Sequence, residues 1–190
     1  MSRLRLFVAV LPPAPAVEEL RRAIAPLHAL PEAGHLRWTG VPGWHFTLAF
    51  LGPVDEELLP ELEERLSRAA RRTEPFPLRI HGAGRFGGRA LWVGAAGALD
   101  TLRLLAERAG AAARRAGIPM DEHRRYSPHL TLARSRAEVD LRPCVEALAG
   151  FEGTGWEVGE MALVRSNLPD SGVPGERPRY EVVASWSLGH

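Results

Sequence analysis

The chain of 190 residues has one cysteine, no lysine, no glutamine and a single asparagine. The lone Cys144 excludes an internal disulfide and any cysteine-based zinc site. Val145 and Leu148 give it the setting of a helix face, so it reads as a small buried hydrophobe. Apart from histidine, every basic side chain is an arginine. Hyperthermophiles as a class enrich Lys and Glu, so the missing lysine argues against a purely thermal adaptation. The planar fork of arginine grips phosphate in a bidentate way. The formal net charge is only +1. A long nucleic-acid groove carries a stronger basic bias, whereas a site for one phosphate and a few nucleotides needs only a local patch. No apolar run approaches the length needed to span a membrane. Leu6 to Leu11 follows Arg3 and Arg5 and precedes Ala14-Pro15-Ala16, but it is too short for a signal-peptide core. It reads as a first strand, and the expected compartment is a reducing cytoplasm.

Hydrophobic content of 45% and charged content of 25% are those of a globular protein, expected to form one domain over residues 1–190. Leu4 to Leu11 is a dense apolar run and reads as a central strand ended by Pro12 and Pro13. Val17, Leu20, Ile24 and Leu27 recur at helical spacing. Leu36 to Trp38 and His45 to Leu51 read as strands. A helix is expected from Leu58 to Arg72 and a strand through Ile80. Gly82, Gly84, Gly87 and Gly88 predict a loop, and Leu91 to Val93 a returning strand. The longest helical pattern runs from Ala98 to Ala116, stopped by Gly117. A strand from His129 to Ala133 or Arg134, a helix from Val139 to Leu148, and strands over Trp156 to Val164 and Tyr180 to Leu188 complete the pattern. The proline- and glycine-rich segment between the last two reads as a loop.

Two stretches stand out, His45-Phe46-Thr47-Leu48 and His129-Leu130-Thr131-Leu132. A strand sends successive side chains to opposite faces. His and Thr therefore share one face of each strand, and the apolar pair enters a core from the other. With seven His and six Thr in the chain, chance supplies roughly 0.2 His-x-Thr triplets. Two are present in matched context. Across one cleft they would offer two imidazoles as base and acid, and two hydroxyls as donors to phosphoryl oxygens. A zinc site built on the two histidines would need a third ligand in equivalent placement, and none is visible.

The tetrads and their flanks resemble the paired motifs of the two-histidine phosphoesterase superfamily. The flanks include Arg5 to Val10, Leu36-Arg37-Trp38, Ala49-Phe50-Leu51-Gly52, Leu91 to Gly94, Ser127-Pro128, Ala133-Arg134, Leu163 to Ser166 and Tyr180-Glu181-Val182. Within that superfamily the chain is similar to the bacterial and archaeal RNA 2',3'-cyclic phosphodiesterases, also called 2'-5' RNA ligases. The resemblance implies an α+β bilobal fold, with two pseudo-symmetric lobes of antiparallel sheet and outer helices, the motif strands facing a central cleft. It implies hydrolysis of RNA 2',3'-cyclic phosphate ends to 2'-phosphate ends with no cofactor and no metal, and ATP-independent 2'-5' ligation as a side reaction. His45 would protonate the leaving O3', His129 would activate water, and Thr47 and Thr131 would hold the non-bridging oxygens. Arg125 and Arg134 are expected near the phosphate or RNA. Strict alternation puts Arg134 on the face opposite His129, so it reaches the cleft only if the strand ends or bulges. Tyr126 and Trp44 are candidates for base stacking. His28, His35, His81, His123 and His190 have no motif context and read as surface residues. The expected partners are RNA ends, with no membrane, and the chain is expected to be a monomer. A small cyclic nucleotide or ADP-ribose cyclic phosphate as substrate, or a non-catalytic RNA-end binding module, are the alternatives that the motifs leave open.

Overall fold

A computed structural model describes residues 2–120, 125–168 and 178–189. Its first part contains β1 (Arg3–Val10), α1 (Ala14–Ile24), β2 (Arg37–Trp38), β3 (Phe46–Asp55), α2 (Leu59–Arg71), β4 (Phe76–Phe86) and β5 (Ala90–Gly97). There follow α3 (Leu99–Arg115), β6 (Leu130–Arg134), α4 (Arg142–Leu148), β7 (Trp156–Val158), β8 (Glu160–Asn167) and β9 (Arg179–Ser187). Among the described residues the strands form two antiparallel sheets, β3-β1-β8-β9 and β2-β6-β5-β4-β7. Each sheet contains one motif strand, β3 or β6.

β1 shows why a central strand reads as an unbroken apolar run. Leu4, Leu6, Val8 and Val10 enter the main core from one face. Phe7 and Ala9 point the other way, into a small second cluster with Ala162 and Val164. A strand buried on both faces loses the apolar-polar alternation. The main core is continuous between the sheets, from Leu6 and Phe46 to Leu78, Leu91 and Leu130. The first sheet is built from both ends of the chain, β1 and β3 with β8 and β9, while β2 crosses to pair with β6.

Helix faces follow the apolar spacing. Leu62, Leu66 and Ala69 of α2, and Leu102, Leu105 and Ala109 of α3, are buried. Burying each of these leucines contributes about 1.5–3 kcal/mol before entropy is counted. The two helices pack together, α3 against β3 and α2 against β9, and so cover the first sheet. α1 and α4 pack against β4 of the second sheet. Cys144 is fully buried on α4, in the core role expected of it.

Several bounds differ from the sequence reading, each for a local reason. α1 stops at Ile24, and a single 3-10 turn containing Pro26 carries the chain to Ala29. Helix α4 begins only at Arg142, with Pro143 in its first turn. Of the expected glycine loop only Gly87 and Gly88 turn the chain; Gly82 and Gly84 are strand, since β4 continues to Phe86, with a bulge at Gly82, whose φ is +70°. At Gly84 the Trp92 ring occupies the space a Cβ would need. The expected strand from Trp156 to Val164 breaks at Gly159 into β7 and β8, which join different sheets. His123, His190 and the tip of the last loop lie outside the described residues.

Candidate active site

The two histidines sit one residue ahead of their strands, and each ring turns back on its own chain. His45 Nδ1 donates to the Gly43 carbonyl at 2.7 Å. His129 Nδ1 donates to the Ser127 carbonyl at 2.9 Å. A carbonyl oxygen can only accept, so Nδ1 carries the hydrogen in both rings and Nε2 is left for the cleft. The same i−2 bond in both lobes fixes tautomer and ring orientation together.

The hydroxyl partners follow on the strands. Thr47 pairs with Ala9, and Thr131 with Trp92. Both threonines are half-buried, and neither hydroxyl has a hydrogen-bond partner among the described residues. The next position is a bulge in both strands. Leu48 falls between the Thr47–Ala9 and Ala49–Val8 pairs, and Leu132 between Thr131–Trp92 and Ala133–Leu91. An extra residue restarts the alternation one position late. Leu48, Ala49, Leu132 and Ala133 are accordingly all buried. The sixth residue of each motif, Phe50 or Arg134, comes back to the face of the motif threonine and is exposed. The bulge is what puts Arg134 on the same strand face as Thr131. The sixth position is also where the lobes diverge, since Phe50 is 55% exposed with the Arg5 guanidinium 5.2 Å from its ring centroid.

The imidazoles have different neighbours. His45 stacks on Phe7 at 4.4 Å between centroids, with Tyr180 at 5.9 Å. Tyr180 lies over Gly43, where a Cβ would meet its ring at 2.8 Å. Glycine is therefore required at the residue whose carbonyl holds His45. His129 is more open, with the edge of Phe86 at 4.9 Å and Trp92 at 6.0 Å. Burial pushes His45 down to about 4, against the opposing pull of the Gly43 carbonyl. The positive charges of Arg134 and His129 lower it further.

The remaining expected site residues divide. Arg125 is exposed and has no ion-pair partner among the described residues. Tyr126 is not presented for stacking: its ring packs against the main core, and its buried hydroxyl has no partner among the described residues. Burial pushes that phenol well up from its usual range. Trp44 is 4% exposed and donates Nε1–H to the Thr39 carbonyl at 3.1 Å, so it too is a packing residue. His28, His35 and His81 are exposed, as expected. Sequence reasoning assigned no role to Phe7, Phe86, Trp92 or Tyr180, because strand pairing brings them to the imidazoles.

Among the described residues no group of three His, Cys, Asp or Glu side chains is arranged to hold a metal ion. A cavity of about 670 Å³ lies away from the motif strands, between the ends of α2 and α3. Arg71, Arg72 and Arg115 line it at the two helix C-termini, where cations complement the helix dipole. Its lining includes no histidine, serine or threonine, so the paired-imidazole cleft is the candidate active site.

Comparison with known proteins agrees with this geometry. Residues 9–170 match the 2'-5' RNA ligase superfamily model. The chain is 37% identical over 202 residues to a Thermus thermophilus RNA 2',3'-cyclic phosphodiesterase, covering 97% of this chain and 90% of that one. It is 31% identical to a Geobacillus stearothermophilus protein of the same name, over 99% of this chain and 58% of the relative. Among solved structures, E. coli LigT in apo form has a TM-score of 0.78 at 26% identity, covering 100% of both chains. LigT complexed with 3'-AMP has a TM-score of 0.76 at 27% identity, again over 100% of both chains. The paired motifs, the bilobal fold and these similarities together establish that the chain belongs to the 2'-5' RNA ligase superfamily.

Proposed function

We propose that this protein hydrolyses RNA 2',3'-cyclic phosphate ends to 2'-phosphate ends by two-histidine acid-base catalysis without a metal. The observation that carries the reading is the equivalence of the two half-sites. Each has an imidazole locked by its own i−2 carbonyl, a free Nε2, and a threonine hydroxyl two residues on.

In the proposed step, His129 Nε2 takes a proton from water as the water oxygen bonds to phosphorus. The P–O3' bond breaks on the opposite side, and His45 Nε2 gives its proton to O3'. The product carries a 3'-hydroxyl and a 2'-phosphate. Thr47 and Thr131 donate to the non-bridging oxygens, whose charge grows in the transition state. Arg134 stands beside the same anion. With nothing bound, burial leaves His45 neutral at pH 7. An anionic phosphodiester favours the imidazolium and offsets the repulsion from Arg134. Substrate binding thereby loads the acid. A 5'-hydroxyl RNA in place of water, attacking phosphorus in the same way as O3' leaves, gives the 2'-5' ligation side reaction. Both half-sites come from one chain, which supports a monomer, and the expected setting is the cytoplasm.

The test offers metal-free protein in EDTA a short RNA with a 2',3'-cyclic end and resolves the products. Release of 2'-phosphate ends is expected. Activity that disappears in EDTA and returns with zinc or manganese, or a 3'-phosphate product, would overturn the reading.

A further inference from the structure

We propose that Arg37 forms a second phosphate subsite beside Arg134, binding the phosphate one nucleotide in from the reacting end. The cleft is then built for an RNA chain in preference to a cyclic mononucleotide. This deepens the function proposed above and rests on it.

Arg37 and Arg134 are direct cross-strand partners in the antiparallel β2–β6 pair. Directly opposed residues point to the same face of a sheet. The bulge at Leu132 turns Arg134 to the cleft face, so Arg37 lies on that face as well. Its neighbour Trp38 turns the other way and packs against the main core.

Two like charges directly opposed across a strand pair are destabilising. Several other surface arginines have countercharges. Arg3 pairs with Asp55, Arg79 with Glu152, Arg89 with Glu138 and Arg142 with Asp140. Arg37 and Arg134 are both exposed, and neither has an ion-pair partner among the described residues. An unrelieved cation pair on the face of a phosphate site is a binding site for a second anion. Arginine is suited to that, because its fork takes two phosphate oxygens at once.

The order of the two anions follows from topology. The bulge puts Arg134 on the strand face of Thr131, the hydroxyl assigned to the reacting phosphate, so Arg134 faces that phosphate. β2 is the edge strand of its sheet. Arg37 therefore lies about 5 Å further out, at the rim, one strand spacing from Arg134. A chain leaving the reacting phosphate along this edge presents its next phosphate to Arg37. A cyclic mononucleotide has no phosphate to offer there.

The experiment compares wild type, Arg37→Ala and Arg37→Lys on two substrates, 2',3'-cyclic AMP and a hexanucleotide with a 2',3'-cyclic end. Fluorescence anisotropy of the RNA and melting temperature are measured beside the kinetics. Arg37→Ala should lower the preference for RNA over the mononucleotide about tenfold, chiefly through KM. The salt slope of RNA binding should fall by roughly 0.7, one phosphate contact on a single strand. Melting should occur no lower than in wild type, because a like-charge pair has been relieved. Arg37→Lys should recover part of the preference, keeping the charge and losing the fork. An unchanged preference, an equal loss on both substrates, or RNA binding lost only in step with a lower melting temperature would each overturn the subsite. If wild type hydrolyses neither substrate, the proposed function fails instead. The salt slope of RNA binding in wild type and Arg37→Ala still decides whether Arg37 contacts a phosphate.

Discussion

The two lobes hold the same tetrad in different surroundings. His45 is stacked on Phe7, bounded by Tyr180 and held by a carbonyl that only glycine can place beneath that ring. His129 meets Phe86 edge-on at an open rim. The shared parts are the i−2 carbonyl bond, the threonine and the bulge, and these aim the groups. The unshared parts set solvent access and charge. Two-fold repetition thus repeats the placing of imidazole and hydroxyl, and the departures from it give the two rings different surroundings, the difference on which the proposed roles of acid and base rest. The sixth motif position makes the same division, with an aromatic ring at Phe50 and a cation at Arg134.

Removing either imidazole should give the largest effect. His45→Ala and His129→Ala should each slow turnover by about 10²–10⁴. The double variant should lose little more than the worse single one, because both groups serve one transition state. Rates for the two singles and the double decide it, and multiplicative losses would show that the lobes act independently.

The threonines come next. Thr47→Val and Thr131→Val keep the β-branched shape and remove the donor, and each should cost about 10²–10³ in kcat. Melting temperatures should barely move. Leu130→Ala is the control on the opposite strand face. Leu130 is fully buried, so its loss should cost roughly 2–5 kcal/mol of stability while sparing kcat in the folded fraction. A fully active Thr131→Val would break the equivalence of the half-sites.

The buried imidazole should also mark the stability of the empty protein. His45 titrates near 6.5 when unfolded and about 4 when folded. Between these values the unfolded chain binds more protons, so this contribution is complete above pH 6.5 and is lost as pH falls to 4. The loss is about 2–3 kcal/mol. Urea melts between pH 4 and 7 should be steeper in pH for wild type than for His45→Gln. Equal slopes would mean that the closed lobe does not desolvate its histidine.

The smallest effect separates the glycine that supports the closed lobe from one that lies apart from it. Gly43→Ala should disturb Tyr180 and the His45 carbonyl, lowering kcat by up to about 10²-fold, the scale of a 1 Å misplacement. Gly34→Ala has nothing within 4 Å of the added Cβ and should be silent. Equal behaviour of the two variants in steady-state assays would remove Gly43 from the account.

Much of this was legible in the sequence. The tetrads named both imidazoles and both hydroxyls through a period of two, and the apolar spacing drew α2 and α3 closely. What local sequence does not carry is the bulge. Only the β5–β6 register shows Leu132 to be the extra residue, so alternation alone put Arg134 on the wrong face. Gly87 and Gly88 form the expected turn, but Gly82 and Gly84 read as part of it because a glycine gives the same signal whether the chain turns or another ring lies over it. At Gly84 it is the ring of Trp92. Tyr126 and Trp44 lie beside motif residues in sequence, which suggested stacking, yet both turn into packed interior. Phe7 and Tyr180 come from strands far away in the chain, and only pairing brings them to His45.

The division of labour between the histidines is tested most directly by NMR titration of the His45 ring, free and with a 2'-phosphorylated mononucleotide at saturation. Titration near 4 is expected in the free protein. A rise of about 1–3 units is expected in the complex, as an anion beside the ring favours its charged form. A complex in which phosphate is bound and His45 still titrates near 4 would contradict its assignment as the acid.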